Sequence, residues 1–520
     1  CLKNFFSLLF AFFLPIKNKK EMDFFSKITQ YQNIAAAKAT AGIIRTTLGP
    51  RSMLKMILDN QGGMVITNDG FCVLREIEIG HPAAKSLIEL SRSQDSEIGD
   101  GTTTIVVLVS EFLRISEILL KQKFHPNQIM ASFFQALIEI NFFLENDLAC
   151  KLDNKNFHDM TKVIMTTICT KLVGKFSRLI CELSFKAIKT AGSRIAFSNL
   201  NNILKIEKIP FGKFEDSKIL SGIMLIKDIS HPKMRRKIKT PRIILLDCPI
   251  EYKKGESQVT IELEEENEWE NLLKAEENFI IFTCNLLKKF NPDVIITEKG
   301  VSDLALHYLY KSNISVIRRI KKSENLRLAR ATGSTIISSF QDLEKNDLGK
   351  AGFFEVKKIG QEYYTFITGC KGTQSSTILL FGPSRDILDE IERNLHDALS
   401  VAKNIFSNPK VIPGGGATEL AISNFLFKKS EKQKNDSFFI YKSLALAFEI
   451  IPKTLIENFG GSVIYPITRL RNIHRKENFF FGFDGKNGKI VDIRKINIWE
   501  TCSMKTQIFK SAIENATFLL

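Results

Sequence analysis

Two short apolar runs in the middle of the chain do most to constrain its fold. Arg242-Ile243-Ile244-Leu245-Leu246-Asp247 and Asp293-Val294-Ile295-Ile296-Thr297 are bounded by polar residues and do not alternate in polarity. A strand with that pattern is covered on both faces, as in parallel sheets packed under helices. The chain on either side has a helical period instead. From Ala35 to Leu48 apolar positions recur at helical spacing until Gly49-Pro50 stops them, and Pro82 opens a helix through Ser91. A long apolar helix is predicted from Thr102 to about Lys121, and His125-Pro126-Asn127 starts another that ends near Leu148. Past Gly369, Thr377-Ile378-Leu379-Leu380-Phe381 reads as a strand, Arg385 to Asn404 as an amphipathic helix, and a further helix starts at Ala417. Helical ends around an α/β middle predict one domain made from both termini with another inserted between them. A chain of 520 residues has room for about two to four domains.

Composition narrows the class. With 44% hydrophobic and 25% charged residues the chain is not a disordered polymer. The net charge of +16 raises a nucleic-acid partner, but the lysines are scattered among Phe, Ile and Asn with no dense basic arm. Diffuse charge is the reading adopted, with no specific nucleic acid. The nine cysteines are widely spaced without C-x-x-C, which argues against a zinc site or disulfide scaffold and for a reducing compartment. Phe5 to Leu14 is an apolar run flanked by lysines, too short for the roughly twenty residues that a membrane helix needs. Residues 1–21 read as an N-terminal extension of uncertain status, with targeting as the alternative. No membrane association is expected of the body.

No Walker P-loop is present. Gly99-Asp100-Gly101-Thr102-Thr103-Thr104 instead places an acid between glycines, with hydroxyls opening a helix. Glycines let backbone N–H groups approach a phosphate, and a helix N-terminus adds about half a positive charge. Asp100 repels phosphate, so its fitting role is to hold Mg²⁺ that bridges phosphate oxygens. The same hexapeptide is also an ordinary turn and N-cap. Leu48-Gly49-Pro50 could bring another helix end to those phosphates; Asn68-Asp69-Gly70 is also a favoured turn; Asp397 is also an ordinary surface acid on a helix.

Taken together and in order, L-G-P at 48–50, N-D-G at 68–70, G-D-G-T-T at 99–103, the helix with Leu395-His396-Asp397-Ala398 and Gly414-Gly415-Gly416 resemble the group II chaperonin family. The resemblance runs from about Gln32 to Leu519. Leu246 to Gln258, His231 to Arg236, Ile295 to Gly300 and Lys357 to Gly360 are similar to the gamma-type subunits of its eukaryotic cytosolic branch. Gly488 to Glu500 (GKIVDIRKINIWE) is similar too, although Thr501 stands where the family usually has Pro.

The resemblance implies a multidomain α/β and α architecture. Residues 22–150 and 408–520 would form a helical equatorial ATP-binding domain, 151–218 and 371–407 a small intermediate domain, and 219–370 an α/β apical substrate-binding domain. A built-in lid would protrude at about 253–277; its acidic stretch Glu262 to Glu277 reads otherwise as a solvated helix face or a mobile arm. The implied function is ATP-dependent protein folding in a hetero-oligomeric double ring in the cytoplasm, with ATP and Mg²⁺. The alternative is a structural ring subunit that binds nucleotide and hydrolyses little of it. Implied partners are other ring subunits and unfolded clients of the actin and tubulin type. Asp69, Asp100 and Asp397 would be catalytic, with Asp100 on the metal. Leu48, Gly49, Pro50, Gly70, Gly101, Thr102, Thr103, Thr104, Gly414 and Gly415 would surround the phosphates. Glu500 would take the ribose hydroxyls, with Asp484 and Gly485 near the base.

Overall fold

The computed structural model describes residues 19–58, 62–152, 157–191, 204–252, 266–370, 375–433 and 437–520. Two compact units emerge, one from residues 1–178 and 396–520, the other from 179–395. The N-terminal apolar run and residues 253–265 of the expected lid lie outside the described residues.

The first unit is helical. Thr102–Lys121 is its central element, buried along most of its length from Ile105 to Leu119. Lys19–Ile44, Pro82–Glu97, Ser437–Phe448 and Cys502–Leu519 pack against it. One continuous core therefore takes side chains from both ends of the chain, among them Leu74, Phe112, Phe133, Phe448 and Phe509. A small antiparallel sheet of Cys150–Lys151, Lys410–Pro413 and Trp499–Thr501 and the hairpin Phe481–Asp484/Lys489–Asp492 complete the parts that shape the site.

Several helices differ from their expected extents, two of them beside the site. The first ends at Ile44 and tightens into a 3₁₀ turn, Arg45–Thr47, before Gly49. The helix from Pro82 does not stop at Ser91 but runs to Glu97. Its polar last turns carry no apolar stripe because Arg92, Ser93, Ser96 and Glu97 face solvent, while Gln94 is buried and donates to the Asp100 carbonyl at 3.0 Å.

In the second unit the two apolar runs are strands, Arg242–Leu246 and Val294–Thr297, paired parallel with Ile244 opposite Ile295. Ser315–Ile317 and Ile336–Ile337 extend the parallel sheet on its two sides, and every residue from Ile243 to Leu246 is buried. A four-stranded antiparallel sheet, ordered Gly222–Leu225, Glu362–Thr368, Phe353–Ile359 and Lys237–Lys239, and a three-stranded one containing Ser376–Phe381 make up the rest. The acidic segment contributes a helix, Glu266–Lys288, on which Trp269 and Leu273 are exposed. No disulfide joins the described cysteines, and among the described residues no helix is long and apolar enough to cross a membrane.

Candidate functional site

A cavity of about 550 Å³ opens within the first unit. Its floor is the start of Thr102–Lys121. Gly101 caps that helix at φ 83°, a left-handed conformation that glycine takes without strain. A side chain there would also strike Ile508 from beneath. The first amides of the helix have no partner within it and point toward the cavity end.

Three separate segments bring their acids to this floor. Asp69 caps the helix Gly70–Glu76, accepting from the Cys72 amide at 3.2 Å, while its other oxygen accepts from the Thr102 hydroxyl at 3.2 Å. Asp100 accepts from the Gly101 amide at 2.7 Å. Burial pushes the Asp100 carboxyl pKa up, against the lowering influence of Lys171 and Lys505. Asp397 comes from Arg385–Ser407 and pairs with Lys171 Nζ. Two contacts seat that part of the helix. Gly99 leaves room for Ser400, and Asn404 Nδ2 donates to the Ile98 carbonyl at 3.2 Å.

The far wall is also locked in place. Asn458 donates to the Arg45 and Leu48 carbonyls at 3.0 and 2.8 Å, which holds Leu48-Gly49-Pro50 at the rim. A side chain at Gly485 would meet Pro50 Cγ at 2.6 Å, so only glycine lets these turns close together. Gly415 and Gly416, both at positive φ, turn the chain into the helix Ala417–Ser430. Glu500 projects from its strand beside Lys505, whose Nζ lies 2.7 Å from Glu500 Oε2 and also pairs with Glu419.

The TCP-1/cpn60 chaperonin family model matches residues 41–520. The chain belongs to this family. It is 47% identical to T-complex protein 1 subunit gamma of Schizosaccharomyces pombe over 497 residues, covering 94% of each chain. The subunit gamma of Arabidopsis thaliana is 48% identical, over 94% of this chain and 89% of the relative. That of Dictyostelium discoideum is 46% identical over 93% of each.

The expected residues of this chaperonin gather around the cavity with two differences of detail. Asp69, Asp100, Asp397, Leu48, Gly49, Pro50, Gly101, Thr102, Thr103, Thr104, Gly415, Asp484, Gly485 and Glu500 line it. Gly70 and Gly414 stand behind the lining. A Cβ on Gly70 would crowd the Thr103 hydroxyl, and one on Gly414 would lie 3.0 Å from Glu500 Oε1. Asp484 directs its carboxylate into its own turn, accepting from the Lys486 amide at 2.9 Å and from Asn487 Nδ2 at 2.7 Å. Gly416 of the three-glycine motif lines the cavity too, as do Lys171 and Lys505, which no motif in the sequence marks.

Asp95 lies behind the acids on Pro82–Glu97. Burial pushes its carboxyl up to about 6, with Asp69 adding to the shift and Lys171 opposing it. Since the folded value lies above that of an unfolded aspartate, the penalty is absent below about pH 4 and complete above about pH 7. Asp95→Asn should therefore stabilise the chain by about 1–2 kcal/mol at pH 8, allowing for partial solvent screening, with the gain fading toward pH 4. Thermal melts at the two pH values check this, and an equal or lower midpoint at pH 8 would contradict it.

Proposed function

We propose that this chain is a gamma-type subunit of a hetero-oligomeric double-ring chaperonin that hydrolyses ATP to fold client proteins. The observation that carries this reading is the convergence of Asp69, Asp100 and Asp397, from three distant segments, on one cavity at a helix N-terminus. Phosphoryl transfer needs positioning and charge neutralisation more than covalent help, and this set can supply both.

The phosphates would lie against the first-turn amides at Thr102–Thr104 and beside Gly49, where backbone donors and the helix dipole favour anions. Among the described residues no group of three or more metal-ligating side chains occurs. That suits Mg²⁺, which usually takes one or two carboxylates together with phosphate oxygens and water. Asp100, a carboxylate held in a desolvated position, fits as its protein ligand. The bound ion would supply charge neutralisation across the phosphate oxygens. Asp69, fixed by its two hydrogen bonds, and Asp397, fixed by Lys171, would orient and polarise the attacking water. Glu500 would take the ribose, and the turn shaped by Asp484 and Gly485 would border the base.

The helix carrying Asp397 begins in the second unit and ends in the first. A finer partition would have intermediate segments at 151–218 and 371–407, an apical client-binding domain at 219–370 and a lid near 253–277. Its partners would be other ring subunits and unfolded proteins in a reducing cytoplasm.

The test is subunit-specific. Assembled oligomers would be labelled with 8-azido-ATP carrying radioactivity at either the α- or the γ-phosphate, and the label on this chain followed. Wild type should lose the γ label while keeping the α label; Asp100→Ala should retain little of either. Persistence of the γ label on wild type would point to a structural subunit that binds nucleotide without turning it over.

A further inference from the structure

At the cavity wall the Glu500 carboxylate joins a charge cluster whose other two members, Lys505 and Glu419, have no part in the roles above. Lys505, on Cys502–Leu519, has a side chain 5% exposed and pairs with Glu419, 1% exposed, on Ala417–Ser430. It also pairs with Glu500, 24% exposed, at 2.7 Å. Two carboxylates thus share one ammonium. Of the three groups, Lys505 and Glu500 line the cavity and Glu419 does not.

We propose that Lys505, anchored by Glu419, is a positioning residue that holds the Glu500 carboxylate at the cavity wall so that the site selects a ribose diol. This rests on the nucleotide reading of the cavity. The charges argue for the ligand class. With both carboxylates ionised, two acids to one base leave an excess negative charge, which repels phosphate and favours neutral donors. A carboxylate offers about four acceptor sites, and the ion pair to Lys505 occupies Glu500 Oε2. Its remaining capacity suits two adjacent hydroxyls. Burial drives the Glu500 carboxyl toward protonation and Lys505 opposes that drive. The geometry also sets the orientation of the ligand, because the diol is drawn to Glu500 and the phosphates to the start of Thr102–Lys121. Glu419 has an equally specific part, since it fixes the ammonium from the side away from the cavity.

The experiment is competition for photolabelling of this chain by 8-azido-ATP in the assembled oligomer, using ATP, 2′-deoxy-ATP and 3′-deoxy-ATP. Wild type should favour ATP over at least one deoxy analogue by roughly tenfold or more, as a site built to bond a hydroxyl discriminates against its absence. In Lys505→Met that preference should fall to about twofold or less, mostly through weaker competition by ATP. The paired change Lys505→Met/Glu419→Leu should do the same without leaving Glu419 buried alone, which protects the test if the single variant fails to assemble. Glu419→Gln keeps a carbonyl acceptor for the ammonium and should keep the preference, whereas Glu419→Leu, which removes the anchor, should lower it. Equal loss of all three competitors, or an undiminished preference in the paired variant, overturns the positioning role. Failure of wild type to be labelled and competed by ATP would instead overturn the nucleotide reading itself.

Discussion

Asp397→Ala is expected to slow loss of the γ label at this subunit by a factor on the order of 10²–10⁴, the range for removing a positioned acid–base group. Nucleotide capture should stay within about threefold of wild type or tighten. The asymmetry comes from Lys171. In the wild type its ammonium, with a side chain 12% exposed, is taken up by Asp397. Deleting the carboxylate leaves a largely buried cation in a cavity proposed to hold phosphates, so electrostatic attraction for the nucleotide rises while the water loses its director. Asp100→Ala differs, because the proposed metal ligand goes and capture weakens with it. The seat of Asp397 at Ser400 and Asn404 lies one to two helical turns farther along and is left intact. The α label should therefore remain on the variant chain while the γ label persists. Loss of the γ label at the wild-type rate would remove Asp397 from the reaction.

Local pattern carried much of the fold. Thr102–Lys121 was legible because its apolar residues continue through five turns after two glycines, and the parallel pair because Ile243–Leu246 and Val294–Ile296 are buried on both faces. The family resemblance at five motifs then pointed to the three acids of the cavity and the glycine turns beside them. Pairings over long sequence distances stayed hidden. Lys171 meets Asp397 across 226 residues and Lys505 meets Glu419 across 86, and neither lysine stands in a turn or glycine motif. A lysine on a helix or after one usually reads as solvated, and only tertiary packing buries these two. Glycines posed a different ambiguity. Gly101 and Gly70 look alike in sequence, yet the first borders the cavity and the second makes room for Thr103. Close approach to a ligand and close approach to a neighbouring helix require the same residue, so the sequence cannot tell them apart.

Phe448→Ala should cost the first unit about 3–5 kcal/mol, the usual penalty for emptying a buried phenylalanine site. Phe448 is fully buried, with its ring centroid 5.3 Å from that of Phe112 and 5.3 Å from that of Phe509, both edge-to-face. Such pairs add about 0.5–1.5 kcal/mol beyond area burial, and these two tie Ser437–Phe448 to Thr102–Lys121 and Cys502–Leu519. The same three-helix contact supports the site. Thr102–Lys121 begins at the cavity floor, and Cys502–Leu519 supplies Lys505 as well as Ile508 under Gly101. A loosened core should therefore weaken nucleotide binding without any change in the lining residues. Conversely, a ligand that binds only the folded state restores stability by about 2.7 kcal/mol at a hundredfold excess over Kd. Urea denaturation of the purified chain should show a large drop in midpoint for Phe448→Ala, partly recovered by Mg-ATP. Phe448→Leu keeps more of the volume and should lose clearly less. An alanine variant within about 1 kcal/mol of wild type would mean that this junction does not hold the two ends of the chain together.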